Sequence, residues 1–329
     1  MPNVAINGLG RIGRATLKIV QDTPGLDLVA VNDIAPADNL AYLLNHDTVY
    51  GRPAQAATAG EDALEVGGRR IRVLSQKDPA TLPWGEMGVD LVFECTGIFR
   101  REEQMRGHLD AGARKVLLSA PPKGGDVPLV VHGVNEAGDA TLFSCASCTT
   151  NCITPVFEVM GRRIGVRKAA MTTVHAYTSS QEIVDAPASK WRRGRAAAAN
   201  LVPTSTGAAT ATTKVLPEYQ GRFDGVAIRA PVPVGSIADL TFVTERATSV
   251  EEINDVFVEE AKSARYEGVL VVATAPIVSS DVIRDPAASI FDPSMTQVVD
   301  GDLVKVMAWY DNEWGYAAQM VREARRVLS

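Results

Sequence analysis

Three of the four cysteines, Cys145, Cys148 and Cys152, stand close together, and the middle one lies in Ser147-Cys148-Thr149-Thr150-Asn151. The apolar positions that follow, through Phe157 and Met160, predict a helix that opens at Cys148. A thiol at a helix N-terminus meets unpaired N–H groups, which favour the thiolate and predict a pKa below the free value of about 8.5. His175 ends an alternating apolar run and supplies the imidazole of a Cys–His pair, provided that folding brings the two together. The other histidines, His46, His108 and His132, read as core or surface residues. The spacing C-x-x-C-x-x-x-C also suggests a metal or cluster, but no fourth ligand stands nearby and closed sites take four. No metal is expected. With Cys95 as the remaining cysteine, the pattern is not a disulfide framework for a chain of this length.

A second constellation lies at the start of the chain. Gly8, Gly10 and Gly13 follow the apolar run Val4-Ala5-Ile6 and precede a helical stretch over residues 15–21. After a turn at Pro24-Gly25, the strand-like run from Leu28 to Val31 ends at Asn32-Asp33. Strand, glycine turn, helix, strand and acid make the first unit of a dinucleotide-binding domain. Gly8 permits the turn, Gly10 lets backbone approach a pyrophosphate, and Gly13 allows the helix to pack closely on the sheet. Asp33 would accept hydrogen bonds from the adenosine ribose and repel a 2′-phosphate, which favours NAD over NADP.

The elements that must position these groups fall into two textures. Short apolar runs at 90–94, 115–119 and 129–131 continue a parallel sheet. Beyond residue 148 the runs at 169–175, 226–229, 238–243 and 304–310 are mostly longer, alternating and rich in β-branched residues, as in a sheet covered on one face. Ser249-Val250-Glu251-Glu252 opens a helix to about residue 264 with a capping-box pattern, and 312–328 reads as a final helix. The stretch 177–203 has little periodicity and reads as a long ordered loop. The fold class expected is α/β: a Rossmann-type dinucleotide-binding domain over 1–147, joined by the C-terminal helix 313–329, and an α+β catalytic domain over 148–312 with a mostly antiparallel sheet.

The 329 residues suffice for two domains, and 46% hydrophobic with 22% charged residues is ordinary for a soluble protein. A net charge of -6 gives no basic field for nucleic acid. No apolar run reaches the roughly 18 residues of a membrane span, and the N-terminus lacks the features of a signal peptide. A cytoplasmic location is expected by default.

Five segments carry a resemblance: 7–14, Ala146 to Cys152, Thr173 to Thr178, Pro203 to Ala209, and Trp309 to Tyr316. In their order and spacing the chain resembles the phosphorylating glyceraldehyde-3-phosphate dehydrogenase family along essentially its whole length, and S-C-T-T-N-C is its most specific motif. The resemblance implies an NAD-dependent oxidoreductase of glycolysis that converts glyceraldehyde 3-phosphate and inorganic phosphate to 1,3-bisphosphoglycerate. Cys148 would attack the aldehyde, His175 would act as general base, and the thioester would pass to phosphate. It further assigns Thr178 and Arg229 to the substrate phosphate, and Ser147, Thr149, Thr206 and Gly207 to the attacking one. Arg193 is a further cation, with Arg192 and Arg195 as competitors. Cofactor contacts implied are the backbone of Arg11 and Ile12, then Thr96 and Ser119 at strand ends, Lys77, Asn312 at the nicotinamide amide, and Tyr316 near its ring. The 177–203 loop resembles the one that reaches a neighbour's cofactor site in the family's homotetramer.

Four positions depart from the commoner family pattern: Cys145, Ser180, Ala186 and Thr210. Ala186, before Pro187, lacks the bulk of the usual leucine and leaves room for NADP as a second cofactor. Erythrose-4-phosphate dehydrogenase, on the same framework, is the alternative activity. A non-catalytic NAD- or RNA-binding protein is the alternative from another class.

Overall fold

Central strands whose side chains are buried on both faces (Asn3–Asn7, Leu91–Glu94, Lys115–Leu118 and Leu142–Ser144) build the first unit, which comprises Met1–Val130, Glu136–Ala146 and Ala317–Ser329. In the computed structural model, which describes residues 1–329, these elements are β1 (Asn3–Asn7), α1 (Arg11–Gln21), β2 (Asp27–Asn32), α2 (Ala37–Asn45), β3 (Thr58–Ala59), β4 (Ala63–Val66), β5 (Arg69–Leu74), β6 (Leu91–Glu94), α3 (Glu102–Asp110), β7 (Lys115–Leu118) and β8 (Leu142–Ser144). The sheet order is β3-β4-β5-β2-β1-β6-β7-β8. Pairing from β5 to β8 is parallel throughout, and β3 and β4 add an antiparallel edge. The chain builds outward from β1 through β2 to β5, then returns to place β6 on the other side of β1. The carboxyl ends of β1 and β6 therefore form the topological switch point, where doubly wound sheets bind ligands.

The expected strand at 129–131 is corrected. Leu129 makes only an isolated bridge to Ser144, and the eighth strand is Leu142–Ser144. Pro128 has no N–H for a ladder; its carbonyl accepts from Ser144 N at 2.9 Å, and Val130 N donates to Ser144 O at 2.8 Å.

The second unit, Val131–Asn135 with Ser147–Tyr316, alternates buried and exposed positions along its strands. Its elements are α4 (Cys148–Arg163), β9 (Val166–Ala176), β10 (Val202–Ser205), α5 (Ala208–Val215), β11 (Phe223–Ala230), β12 (Ser236–Thr244), α6 (Val250–Glu260), β13 (Leu270–Val272), β14 (Ser289–Phe291), β15 (Gln297–Val299) and β16 (Leu303–Tyr310). The order is β10-β11-β9-β12-β16-β14-β13, with β15 also on β16. Pairing is mostly antiparallel, but β11 with β9 and β13 with β14 run parallel. The helix α4 is buried along almost its whole length and packs on this sheet and on α5 and α6. Phe157 is its anchor, with ring centroids 4.6, 4.7 and 5.1 Å from Tyr219, Phe223 and Phe242.

Within the 177–203 loop, residues Trp191–Gly194 form a 3-10 turn and the strand β10 begins at Val202. The last helix spans Trp314–Leu328, and no helix is long and apolar enough to cross a membrane.

Candidate active site

Ser147 fixes the start of α4. Its Oγ accepts from Thr150 N at 3.1 Å, so the first turn forms with Cys148 at its opening position. Just before it, Ala146 holds φ at 54°, a left-handed conformation uncommon for a residue with a side chain. Cys148 Sγ lies 3.4 Å from Nε2 of His175, which sits near the end of β9. The parallel register places Arg229 of β11 directly opposite His175. Arg229 Nη1 is 2.7 Å from His175 Nδ1 and donates to Ala176 O at 2.9 Å, and His175 Nδ1 is itself 2.6 Å from that carbonyl. Tyr310 closes the cluster. Its ring stands edge-on to His175 at 5.9 Å, and its hydroxyl bridges Thr149 Oγ1 at 2.9 Å and Thr173 Oγ1 at 2.8 Å.

Burial decides the protonation states here. It pushes the Cys148 thiol up from its ordinary value, against the pull of Arg229 and of the Thr149 hydroxyl and backbone N–H. Burial, then the Arg229 charge, pushes His175 down to about 3. The expectation of a thiol acidified by the helix start is thus corrected: desolvation of the thiolate outweighs the helix N-terminus. Burial favours the thiol over the thiolate, and His175 Nε2 is the group within reach of its proton. Cys152 is a different kind of thiol. It is fully buried, 3.8 Å from both Ser289 Oγ and Ala308 O, and burial pushes its pKa strongly up.

Cations without carboxylates gather next to this pair. Arg193 donates to Thr204 Oγ1 at 3.1 Å and to Ser180 Oγ at 3.3 Å, and Ser180 Oγ lies 2.9 Å from Thr178 Oγ1. Arg229 has its Nε buried with no partner. Burial lowers the pKa of both guanidiniums, and each charge weighs on His175. Two arginines close enough to perturb one imidazole, with hydroxyls alongside, favour an anion. Thr206 Oγ1 accepts from Ala208 N at 3.2 Å, and Gly207 precedes α5 with open space at its α-carbon.

The first unit carries the other half of the chemistry. Gly8 has φ of 92°, and a Cβ there would lie 2.8 Å from Thr96, while one at Gly13 would strike Gly8 O at 1.9 Å. Nothing lies within 4 Å of a Cβ at Gly10. No side chain caps α1 and no acid sits in its first turn, so no side chain of its own neutralises its positive end. These residues fit a pyrophosphate. Asp33 accepts from Leu9 N at 2.7 Å and from Ala35 N at 2.9 Å, which ties the acid to the glycine loop. Beneath the loop Glu94 is wholly buried. It takes Asn7 Nδ2 at 2.6 Å, His108 Nε2 at 3.0 Å, Thr96 N at 2.8 Å and the Thr96 hydroxyl.

The model for the glyceraldehyde 3-phosphate dehydrogenase NAD-binding domain matches residues 2–102, and that for the C-terminal domain of the same enzyme matches 147–312. Glyceraldehyde-3-phosphate dehydrogenase 2 of Streptomyces arenae is 47% identical over 324 residues, covering 97% of this chain and 96% of its own. The Streptomyces coelicolor and Mycobacterium tuberculosis H37Rv glyceraldehyde-3-phosphate dehydrogenases are 45% and 46% identical, with the same coverage. The chain belongs to the glyceraldehyde-3-phosphate dehydrogenase family. Its first unit carries that family's nicotinamide-dinucleotide domain.

Against the family pattern, the structure brings Cys148, His175, Arg229 and Thr149 into one cluster and joins Thr178, Ser180 and Arg193 in another. Ser147 is spent partly on capping, and Thr149 is buried with its hydroxyl on Tyr310. Asn312 Oδ1 accepts from Gly235 N at 3.2 Å and Ser236 Oγ at 3.0 Å, which leaves Nδ2 to donate. Tyr316 is buried; Ser119 is half-buried and donates from its N–H to Glu94 O; Lys77 is exposed after β5. Sequence reasoning missed Glu94 and gave Tyr310 no role. Glu94 has a signal: a carboxylate closing the otherwise apolar Leu91–Glu94 strand.

Proposed function

We propose that this family member oxidises glyceraldehyde 3-phosphate with NAD and transfers the acyl group to inorganic phosphate, giving 1,3-bisphosphoglycerate. The observation that carries the reading is Cys148 Sγ at 3.4 Å from His175 Nε2, with Arg229 opposite on the neighbouring strand. The Cys148 sulfur adds to the aldehyde carbon, and its proton leaves through Nε2 to the carbonyl oxygen, giving a thiohemiacetal. Bound at Gly8, Gly10, Arg11, Ile12, Gly13 and Asp33, the dinucleotide supplies the hydride acceptor. Nε2 of His175 takes the hydroxyl proton during oxidation, which leaves a thioester on Cys148. A phosphate oxygen then attacks the thioester carbon, the C–S bond breaks, and the sulfur recovers its proton. Backbone N–H groups at the start of α4, together with His175, stabilise the oxyanion in each addition.

Thr178 and Arg229 hold the substrate phosphate, and Arg193 adds a second cation. Ser147, Thr149, Thr206 and Gly207 hold the attacking phosphate. Thr96, Ser119, Lys77, Asn312 and Tyr316 complete the cofactor contacts, Asn312 through its Nδ2. The tie between Asp33 and the glycine loop supports NAD as the main cofactor, with NADP admitted beside Ala186. A cytoplasmic homotetramer is the assembly proposed; Ile183, Val184, Trp191 and Leu201, all exposed in the 177–203 loop and at its end, support self-association.

The test is reduced-cofactor formation from glyceraldehyde 3-phosphate, with and without inorganic phosphate, using NAD and NADP in turn. Phosphate-dependent turnover with NAD is expected. Turnover indifferent to phosphate would remove the phosphorylating assignment and leave erythrose 4-phosphate as the next substrate to try.

A further inference from the structure

His175 Nδ1 has two neighbours that make opposite demands. Arg229 Nη1, at 2.7 Å, is a donor only; Ala176 O, at 2.6 Å, is an acceptor only. Without a proton, Nδ1 accepts from Arg229 and the ring's single hydrogen sits on Nε2, facing Cys148. With a proton, Nδ1 donates to Ala176 O, opposes the guanidinium, and leaves the Nε2 lone pair for Cys148. The base required above is the second form. The Arg229 contact stabilises the first, and the Ala176 carbonyl the second.

Arg229 is poorly anchored for a half-buried cation. Only Nη1 has partners, His175 Nδ1 and Ala176 O, and Nε is buried with none. No carboxylate holds it, and Arg193 repels it. The other groups facing His175 are Cys148 from α4, Tyr310 from β16 and Arg193 from the 177–203 loop, and no carboxylate is among them. An anion in reach of Arg229 would therefore draw the guanidinium away from the ring.

We infer that Arg229 is a positioning residue that senses the substrate's phosphate: resting on Nδ1 it keeps His175 from acting as base, and on moving to the phosphate it releases the basic form. The change is a tautomerisation, in which one N–H bond breaks at Nε2 and one forms at Nδ1, with no net proton gained. Charge on the substrate thereby switches on the base only when the correct molecule is seated. This rests on the covalent reading of Cys148 and His175, and deepens it.

The experiment uses the full chain with NAD and reads the pre-steady-state burst of NADH, which precedes phosphate attack. With glyceraldehyde, which lacks the phosphate, phosphite dianion should raise the burst rate about tenfold, the order of effect of one charge-assisted hydrogen bond. The pH profile of that burst should move as phosphite is added. Arg229→Gln should run the glyceraldehyde burst about tenfold faster than the unsubstituted protein without phosphite, and should not respond to phosphite. A glyceraldehyde burst unmoved by phosphite and by Arg229→Gln, beside a normal burst with glyceraldehyde 3-phosphate, overturns the switch. The phosphite arm needs no variant, so misfolding of Arg229→Gln would not rescue the idea. Absence of any burst with glyceraldehyde 3-phosphate itself would instead overturn the covalent reading.

Discussion

Each unit buries an imidazole, and the partners of the two rings differ in kind. His108 is wholly buried; its Nδ1 accepts from Trp84 Nε1 at 3.0 Å and its Nε2 meets the Glu94 carboxylate at 3.0 Å. Those partners admit one tautomer, Nε2–H, and Glu94 has donors from Asn7, Thr96 and His108. His175 faces a thiol, a cation and a carbonyl, with no carboxylate among its partners. The first ring belongs to a satisfied network that ties β1, β6 and Thr96 beneath the glycine loop. The second sits where partners disagree. Full satisfaction buys rigidity for a binding loop, while conflict among partners leaves a group able to exchange protons.

The comparison can be broken most forcefully at the thiol. Cys148→Ser should lower kcat/KM by on the order of 10⁴-fold or more, since a hydroxyl is far less acidic and less nucleophilic than the thiol it replaces. Cys152→Ala, assayed alongside, should keep the activity, because that thiol faces Ser289 rather than His175. Full activity in Cys148→Ser would end the covalent mechanism. Next in size, His175→Asn should cost about 10²–10⁴ in kcat with little change in thermal midpoint.

The satisfied ring should behave in the opposite way. His108→Leu strands the Trp84 N–H and leaves Glu94 Oε2 with Asn7 as its remaining donor, and should lower stability by about 2–4 kcal/mol in urea titrations. Turnover per folded molecule should hold when dinucleotide is saturating. A variant equally stable but slow would show that His108 is no mere strut.

The last effect is read in acid, as a slope and not as a loss of activity. His175 titrates near 6.5 when unfolded and at about 3 when folded. Between those values the unfolded state binds the extra proton, so stability is full above 6.5 and is lost as pH falls towards 3. His175→Asn should therefore have a stability–pH slope shallower by about 1.4 kcal/mol per pH unit across that window. Identical slopes in denaturant titrations at pH 4 to 6 would contradict the burial argument.

Local pattern carried much of this. The turn from β1 into α1, with Gly8, Gly10, Gly13 and Asp33, was legible because Gly8 and Gly13 answer nearby steric demands and Gly10 keeps the helix start open. The opening of α4 was legible from Ser147 and the apolar stretch behind it. The second sheet's character was legible in the alternation of β9, β12 and β16, but the parallel pairing of β11 with β9 was not. The run at 129–131 misled because apolar content does not say which segment wins the sheet edge.

By itself the sequence determined which reactive types exist and on which local element each sits: a thiol opening a helix, an imidazole near a strand's end, and glycines before a helix. Tertiary structure decided what surrounds them. Strand register set Arg229 beside His175, 54 residues away in the chain, and packing brought Tyr310 to Thr149 across 161 residues. Burial raised the thiol that the helix start would have acidified. Helix and turn preferences act over a few residues, whereas register and desolvation depend on segments that meet only when the chain has folded.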